Sequence, residues 1–239
     1  MEAKKTVRIV IFLILAAVAI FGLILFFNNH LESKGKIIQP AAETADTDGN
    51  RQSYAAASMP AFAEDDFSSG SSGGLTIFVY EDYSDIFSAD FAASLEKARL
   101  DFGDQLKIVY RPFNVGRTNL SLEAAVAVRC AADQGKGEAF RDRVFQAVRA
   151  NQLNSDKISN LAVETELNGD DFKACLTNLE KKERIERLLD EASDFSVYGA
   201  PTVFVGDEMI VGARPYDSFT DSNGDEIEGL KQVIENKLK

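Results

Sequence analysis

The chain has few of the side chains on which catalysis and metal binding most often depend. Its 239 residues include a single histidine, His30, and two cysteines, Cys130 and Cys175. One histidine cannot form a His-based catalytic pair or a His-rich metal cluster. The cysteines are also too far apart for a Cys-x-x-Cys motif. We therefore predict neither a metal site nor a cofactor, and we interpret His30 as a solvated residue.

Positive charge is also scarce. There are 26 Lys and Arg residues against 38 Asp and Glu residues, so the formal net charge at pH 7 is -12. A phosphate backbone repels such a chain, and the same holds for an anionic lipid surface. We therefore do not expect nucleic acid as a partner.

One segment lacks charge altogether. Residues 9–27 contain no charged side chain, and about 19 apolar residues suffice for a transmembrane helix. Lys4, Lys5 and Arg8 in the basic N-terminus (residues 1–8) precede this segment, which predicts a cytoplasmic N-terminus and an extracytoplasmic C-terminal domain, as in a bacterial cell envelope. A cleaved signal peptide is the alternative. We favour a retained signal anchor because the small-x-small triplet at 17–19 lies inside the apolar run.

The linker is predicted over residues 28–74, and from Ile37 to about Gly74 the composition changes to Ala, Ser, Asp, Glu and Gly. Such a segment buries too little apolar surface to offset the entropy lost on ordering. We predict a flexible linker between the membrane segment and a folded domain over residues 75–239. In the alternative, the few apolar side chains of the linker, such as Tyr54 and Phe67, dock on the folded domain.

The folded domain begins with a pattern typical of a βαβ unit. Residues 75–80 form a continuous apolar, β-rich run, as in a strand buried on both faces. Residues 89–100 have the spacing of a helix, and residues 106–113 read as a second strand. The crossover between these strands should be right-handed.

The remainder is helical and then β-rich. Residues from about 120 to 195 have a helical pattern, residues 202–211 read as a hairpin, and residues 226–238 read as a closing helix. The acidic turn at 221–226 fits a turn followed by a helix N-cap at Asp225. A calcium site is the alternative for this turn.

Two segments carry a resemblance to a known family. Residues 81–88, EDYSDIFS, lie between the first strand and the helix, and residues 198–205, YGAPTVFV, contain a proline before a strand. Together they resemble the DsbA-like branch of the thioredoxin fold. Further matching phrases lie at 109–113, 131–137, 172–176 and 210–213. The resemblance implies an α/β thioredoxin fold with an inserted helical subdomain at about 120–195.

In this resemblance Asp85 and Ser88 occupy the positions of the two active-site cysteines. Thiol-disulfide exchange needs a thiolate at the helix N-terminus, and neither residue supplies one. Asp85 or Ser84 can instead cap the helix. The alternative is that Asp85 and Ser88 perform other chemistry. Kappa-class glutathione transferases resemble this architecture and carry a serine at the first position, where its hydroxyl stabilises a bound thiolate. Ser84 could take this role only if the turn were shifted by one residue.

The resemblance also implies structural features elsewhere. Pro201 is expected to be cis, which would expose the backbone of Ala200 to an extended peptide; otherwise it merely starts the strand. Some DsbA-like relatives carry a structural disulfide in the helical region. We therefore predict a Cys130–Cys175 bridge, with two reduced buried thiols as the alternative.

The expected function is a membrane-anchored, extracytoplasmic domain that binds or scaffolds a peptide or protein without redox activity. The partner would be an extracytoplasmic protein or peptide. Whether the chain is an enzyme stays open at this point. The alternatives are a Ser- or Asp-assisted thiol transferase or isomerase of the kappa type, and an oxidoreductase by ancestry only.

Overall fold

The structure is a computed structural model that describes residues 53–56 and 58–239. The predicted basic N-terminus (1–8), the membrane segment (9–27), His30 and the first half of the predicted linker lie outside these residues. In the described part, no helix is both long and apolar enough to span a membrane. The elements, in chain order, are β1 (Ser53–Ala55), β2 (Phe67–Gly70), β3 (Leu75–Glu81), α1 (Ile86–Phe102), β4 (Leu106–Pro112), α2 (Asn119–Asp133), α3 (Gly137–Arg149), α4 (Ser155–Glu164), α5 (Gly169–Leu176), α6 (Leu179–Glu191), a 3₁₀ turn (Ala192–Phe195), β5 (Thr202–Val205), β6 (Glu208–Val211), β7 (Phe219–Thr220), β8 (Glu226–Ile227) and α7 (Leu230–Lys237).

Six strands form the central sheet, in the order β1-β6-β5-β3-β4-β2. β3 and β4 are parallel and are connected through α1, which confirms the predicted βαβ unit. All other neighbours are antiparallel, including the predicted hairpin of β5 and β6. β3 lies between β4 and β5, and its residues Ile77 to Tyr80 are buried on both faces of the sheet.

The two faces of the sheet have different coverings. Ile77 and Val79 of β3 belong to the core beneath α1 and α7, whereas Phe78 and Tyr80 belong to the core of the opposite face. α1 and α7 contribute a second set of buried side chains to the first core, namely Phe91, Leu95, Leu230, Val233 and Ile234. This alternation is what the period of a strand requires.

The helical insertion consists of α2 to α6 and the 3₁₀ turn, in agreement with the predicted span of about 120–195. Asn154, Asn168 and Asn178 separate the helices, and each side chain accepts a backbone N–H from the first turn of the helix that follows. These are N-caps, the reason why asparagine favours helix starts. A disulfide between Cys130 and Cys175 joins α2 to α5, which confirms the predicted bridge.

The linker prediction is wrong for its C-terminal part. β1 pairs with β6 and β2 pairs with β4, so residues from 53 onwards supply both edge strands of the sheet. The segment between them is fixed by an ion pair in which Arg111 donates to Asp66 at 2.8 Å, both side chains being buried. Phe67 packs on the ring of Tyr110 at a centroid distance of 4.8 Å. The alternative, docking on the folded domain, is therefore confirmed for Phe67.

The closing helix is shorter than predicted. Glu226 and Ile227 form strand β8, and α7 begins only at Leu230, so Asp225 is not its N-cap. The amides of Leu230 and Lys231 donate instead to carbonyls of the preceding loop. That loop passes so close to Gly229 that a Cβ there would lie 2.3 Å from a backbone carbon of Asp217.

The acidic turn at 221–226 joins β7 to β8. The carboxylate of Asp221 accepts the amides of Asn223 and Asp225 at 2.8 and 2.9 Å, as in an ordinary Asx turn. Among residues 53–56 and 58–239 there is no group of three side chains suited to hold a metal ion.

Candidate functional site

The turn after β3 and the loop before β5 lie at the same end of the sheet. This follows from register, because Tyr80 near the end of β3 pairs with Thr202 at the start of antiparallel β5. Asp85 in the turn and Pro201 in the loop are therefore brought to one edge. The Ala200–Pro201 peptide bond is cis, as predicted.

Asp85 caps helix α1. Its carboxylate accepts the backbone N–H of Ser88 at 2.7 Å, while its own backbone is extended. The cap satisfies one of the free amides at the helix start and places a negative charge at the positive end of the helix dipole. The capping role of Asp85 is confirmed, and Ser84 does not share it.

Ser88 is completely buried. Its hydroxyl oxygen accepts the backbone N–H of Asp82 at 3.1 Å, which ties the first turn of α1 to the end of β3. A hydroxyl with no exposed surface does not meet a substrate in this arrangement. The position of the second cysteine therefore has a structural role.

Asp82 is a site residue whose role the sequence did not reveal. It is buried, and its Oδ1 accepts both the N–H and the hydroxyl of Ser84 at 2.8 Å. The same oxygen accepts the Ser121 hydroxyl at 2.6 Å, and Oδ2 accepts the N–H of Val115 at 2.9 Å. Both oxygens of Asp82 are therefore hydrogen-bonded, which ties together the turn, the loop after β4 and the start of α2. Its one sequence signal is an Asp directly after a buried strand, with Ser two residues later.

A buried ion pair lies behind the turn. Both carboxylate oxygens of Glu81 accept from the guanidinium of Arg141 at 2.6 Å, and both side chains are almost fully excluded from solvent. The guanidinium also lies 4.7 Å from the ring centre of Tyr110 and 4.8 Å from that of Phe145. Burial disfavours the charge, but the negative charge of Glu81 outweighs this and raises the pKa of Arg141.

Tyr83 is a buried residue of the turn. Its side chain is buried against Phe145, with ring centres 5.7 Å apart. Burial raises the pKa of Tyr83 well above its usual value, so the phenol stays neutral.

Exposed apolar side chains surround the site. Ile86 and Phe87, the two residues between Asp85 and Ser88, are 43% and 60% exposed. Tyr198 in the proline loop is 73% exposed, and Val115 after β4 is 54% exposed. Large apolar side chains left in water at one end of a sheet are typical of a binding surface. The sequence shows these residues but not their exposure.

The backbone of Ala200 is also available. In the described part of the chain, neither its N–H nor its C=O has a hydrogen-bond partner, whereas the carbonyl of Pro201 accepts the N–H of Gly212 at 2.8 Å. Ala200 is half-buried. A free donor and acceptor next to an exposed apolar patch can pair with an extended peptide.

No thiol is free at this site. The two cysteines are joined to each other in the helical insertion, and the chain has no other cysteine. Cys130 is 1% exposed. Neither sulfur belongs to the turn or to the proline loop.

Comparison with known proteins identifies a family model and solved structures with the same fold. The family model described as DSBA-like thioredoxin domain matches residues 76–222. A thioredoxin-like oxidoreductase from Silicibacter pomeroyi DSS-3 has 20% sequence identity and a TM-score of 0.61, covering 73% of this chain and 92% of its own. BdbD from Bacillus subtilis, in its oxidised form, has 18% sequence identity and a TM-score of 0.64. The match covers 77% of this chain and 99% of BdbD. At such identities these structures share the fold with this chain.

One curated relative is similar in sequence. The Na(+)/H(+) antiporter NhaA of Herminiimonas arsenicoxydans is 31% identical over 146 residues, which is 61% of this chain. The chain spans only 22% of that protein. The similarity therefore concerns a small part of the antiporter and carries no argument for ion transport.

Proposed function

This chain belongs to the DSBA-like thioredoxin domain family, and within that family we propose that it is a peptide- or protein-binding domain without thiol-disulfide exchange activity. The observation that carries the proposal is that the exposed residues Ile86 and Phe87 lie at the same end of the sheet as the unpaired backbone of Ala200. At the two cysteine positions stand a capping carboxylate and a buried hydroxyl.

The chemical part of the proposal follows from the absence of a thiolate. Disulfide exchange proceeds by attack of a thiolate on sulfur through a mixed disulfide. Asp85 takes the favourable place at the helix N-terminus but forms no bond to sulfur. The electron-transfer step therefore has no donor atom at the site.

The binding part follows from what the site still offers. An extended segment can add to the free backbone of Ala200 as a short strand, and its side chains can cover Ile86 and Phe87. Covering apolar surface contributes roughly 25 cal/mol per Å² removed from water. Affinity then comes from apolar burial and main-chain hydrogen bonds, and no covalent step is needed.

A thiol transferase of the kappa type receives no support from the geometry. The Ser84 hydroxyl donates to Asp82 at 2.8 Å and is not available to stabilise a bound thiolate. The carboxylate of Asp85 would repel such a thiolate.

The cellular setting is part of the proposal and rests on the sequence. Residues 9–27 would anchor the chain in a membrane with residues 1–8 in the cytoplasm, and the folded domain would face an extracytoplasmic protein or peptide. The N-terminal part of the predicted linker would then lead into β1, at one edge of the sheet.

Replacing Phe87 by serine tests the binding site. We expect a fluorescein-labelled peptide of alternating leucine and serine to bind the full chain in lipid nanodiscs, measured by fluorescence anisotropy against empty nanodiscs. Because Phe87 provides the most exposed apolar surface of the turn, Phe87→Ser should weaken binding by roughly tenfold. Leu100→Ser is the matched control, since Leu100 is 74% exposed at the other end of the same helix. Equal binding by wild type and Phe87→Ser would refute the site.

A further inference from the structure

A cleft of about 600 Å³ opens between the C-terminal half of α6 and the loop after β4. Its described lining does not include Ser84, Asp85, Ser88 or Pro201, so it is distinct from the turn. The apolar part of its wall consists of Phe113, Val115, Leu122, Leu189, Val197 and Tyr198.

One wall of the cleft is acidic. Glu186, Asp190 and Ser193 follow one another along α6 and the 3₁₀ turn at spacings of four and three residues, and all three line the cleft. Glu186 forms a salt bridge of 3.8 Å with Lys182 on the same helix. The carboxylate of Asp190 forms no salt bridge or hydrogen bond with the residues that the structure describes. Arg117 is the one basic residue in the described lining, so carboxylates outnumber cations there.

The cleft adjoins the peptide site through two residues. Tyr198 lines the cleft and precedes Ala200 by two positions in the proline loop. Val115 lines the cleft from the other side, and its N–H donates to Asp82 behind the turn. A strand advances about 3.3 Å per residue, so a segment paired at Ala200 needs few further residues to pass Tyr198 and enter the cleft.

We propose that this cleft is a specificity pocket for the bound peptide, which selects a large apolar side chain flanked by lysine or arginine. The inference rests on the proposed function, because the same extended segment occupies both places. Its apolar side chain packs against Leu122, Leu189 and Val197, while the flanking cation faces Glu186 and Asp190. Binding of an acidic peptide is disfavoured, because these carboxylates and the chain's net charge of -12 both repel it.

Three labelled peptides test the charge preference in the nanodisc assay: leucine alternating with lysine, with serine and with glutamate. We expect affinity to fall in that order, and the advantage of lysine over serine to shrink as salt is raised. Because a single exposed charge pair is weak, both carboxylates are replaced together. Glu186→Gln combined with Asp190→Asn should weaken binding of the lysine peptide by roughly tenfold and leave binding of the serine peptide unchanged. Arg117→Gln should act in the opposite direction.

The matched control is Glu180→Gln combined with Glu183→Gln. It removes the same charge from the same helix at exposed positions outside the described lining of the cleft. If this control weakens the lysine peptide as much as the cleft variant does, the preference is a general field effect and the pocket is refuted. Equal affinity for the lysine and serine peptides also refutes the pocket, while the proposed function stands if both remain sensitive to Phe87→Ser. Binding of none of the three overturns both.

Discussion

Arg141→Met should lower the free energy of unfolding by roughly 3–5 kcal/mol, the cost of leaving one member of a buried ion pair without its partner. Glu81 is fully buried, and both of its oxygens depend on the Arg141 guanidinium. Methionine preserves much of the side-chain length, so the loss concerns charge more than volume. Urea denaturation followed by circular dichroism measures the change.

Two further variants separate the ion pair from general effects of substitution. Combining Arg141→Met with Glu81→Leu removes both charges and should recover most of the lost stability. Arg143→Met alters an exposed arginine on the same helix and should change stability by less than about 0.5 kcal/mol. Similar losses for Arg141→Met and Arg143→Met would show that the pair does not support the turn.

Replacing both Cys130 and Cys175 by alanine should lower the free energy of unfolding by about 4 kcal/mol. The two residues are separated by 45 positions, and a loop of that length gives about 4 kcal/mol in the chain-entropy model. The bridge also holds α5, a helix of eight residues, against α2. Urea denaturation of the two proteins without reductant measures the difference.

Reductant provides the control for this prediction. Wild-type protein unfolded in excess dithiothreitol should approach the midpoint of the double alanine variant, and the variant itself should not respond. A double variant as stable as oxidised wild type would show that the bridge does not constrain the unfolded chain.

The elements with strong local signals were predictable from the sequence. β3 consists almost entirely of an apolar, β-rich run, and the last three helices of the insertion begin at asparagine caps, so periodicity and cap chemistry agree there. The family resemblance supplied the cis bond at Pro201 and the disulfide, which local sequence did not determine. Asp85 as a cap followed from its position between a strand and a helix.

The missed features depend on contacts between distant residues. β2 has the sequence FSSG, whose serines give no sign of a strand, and it is held by pairing with β4 and by the packing of Phe67 on Tyr110. The start of α7 is set by carbonyls of the 215–216 loop and not by the acidic turn. Likewise, the partner of Glu81 lies 60 positions away in α3.

The claim that this domain has no thiol-disulfide exchange activity is tested most directly by insulin reduction with dithiothreitol. We predict that wild-type protein precipitates insulin at the rate of buffer alone, and that Asp85→Cys combined with Ser88→Cys accelerates it by restoring a Cys-x-x-Cys at the start of α1. Acceleration by wild type that disappears in the double alanine variant of Cys130 and Cys175 would contradict the account.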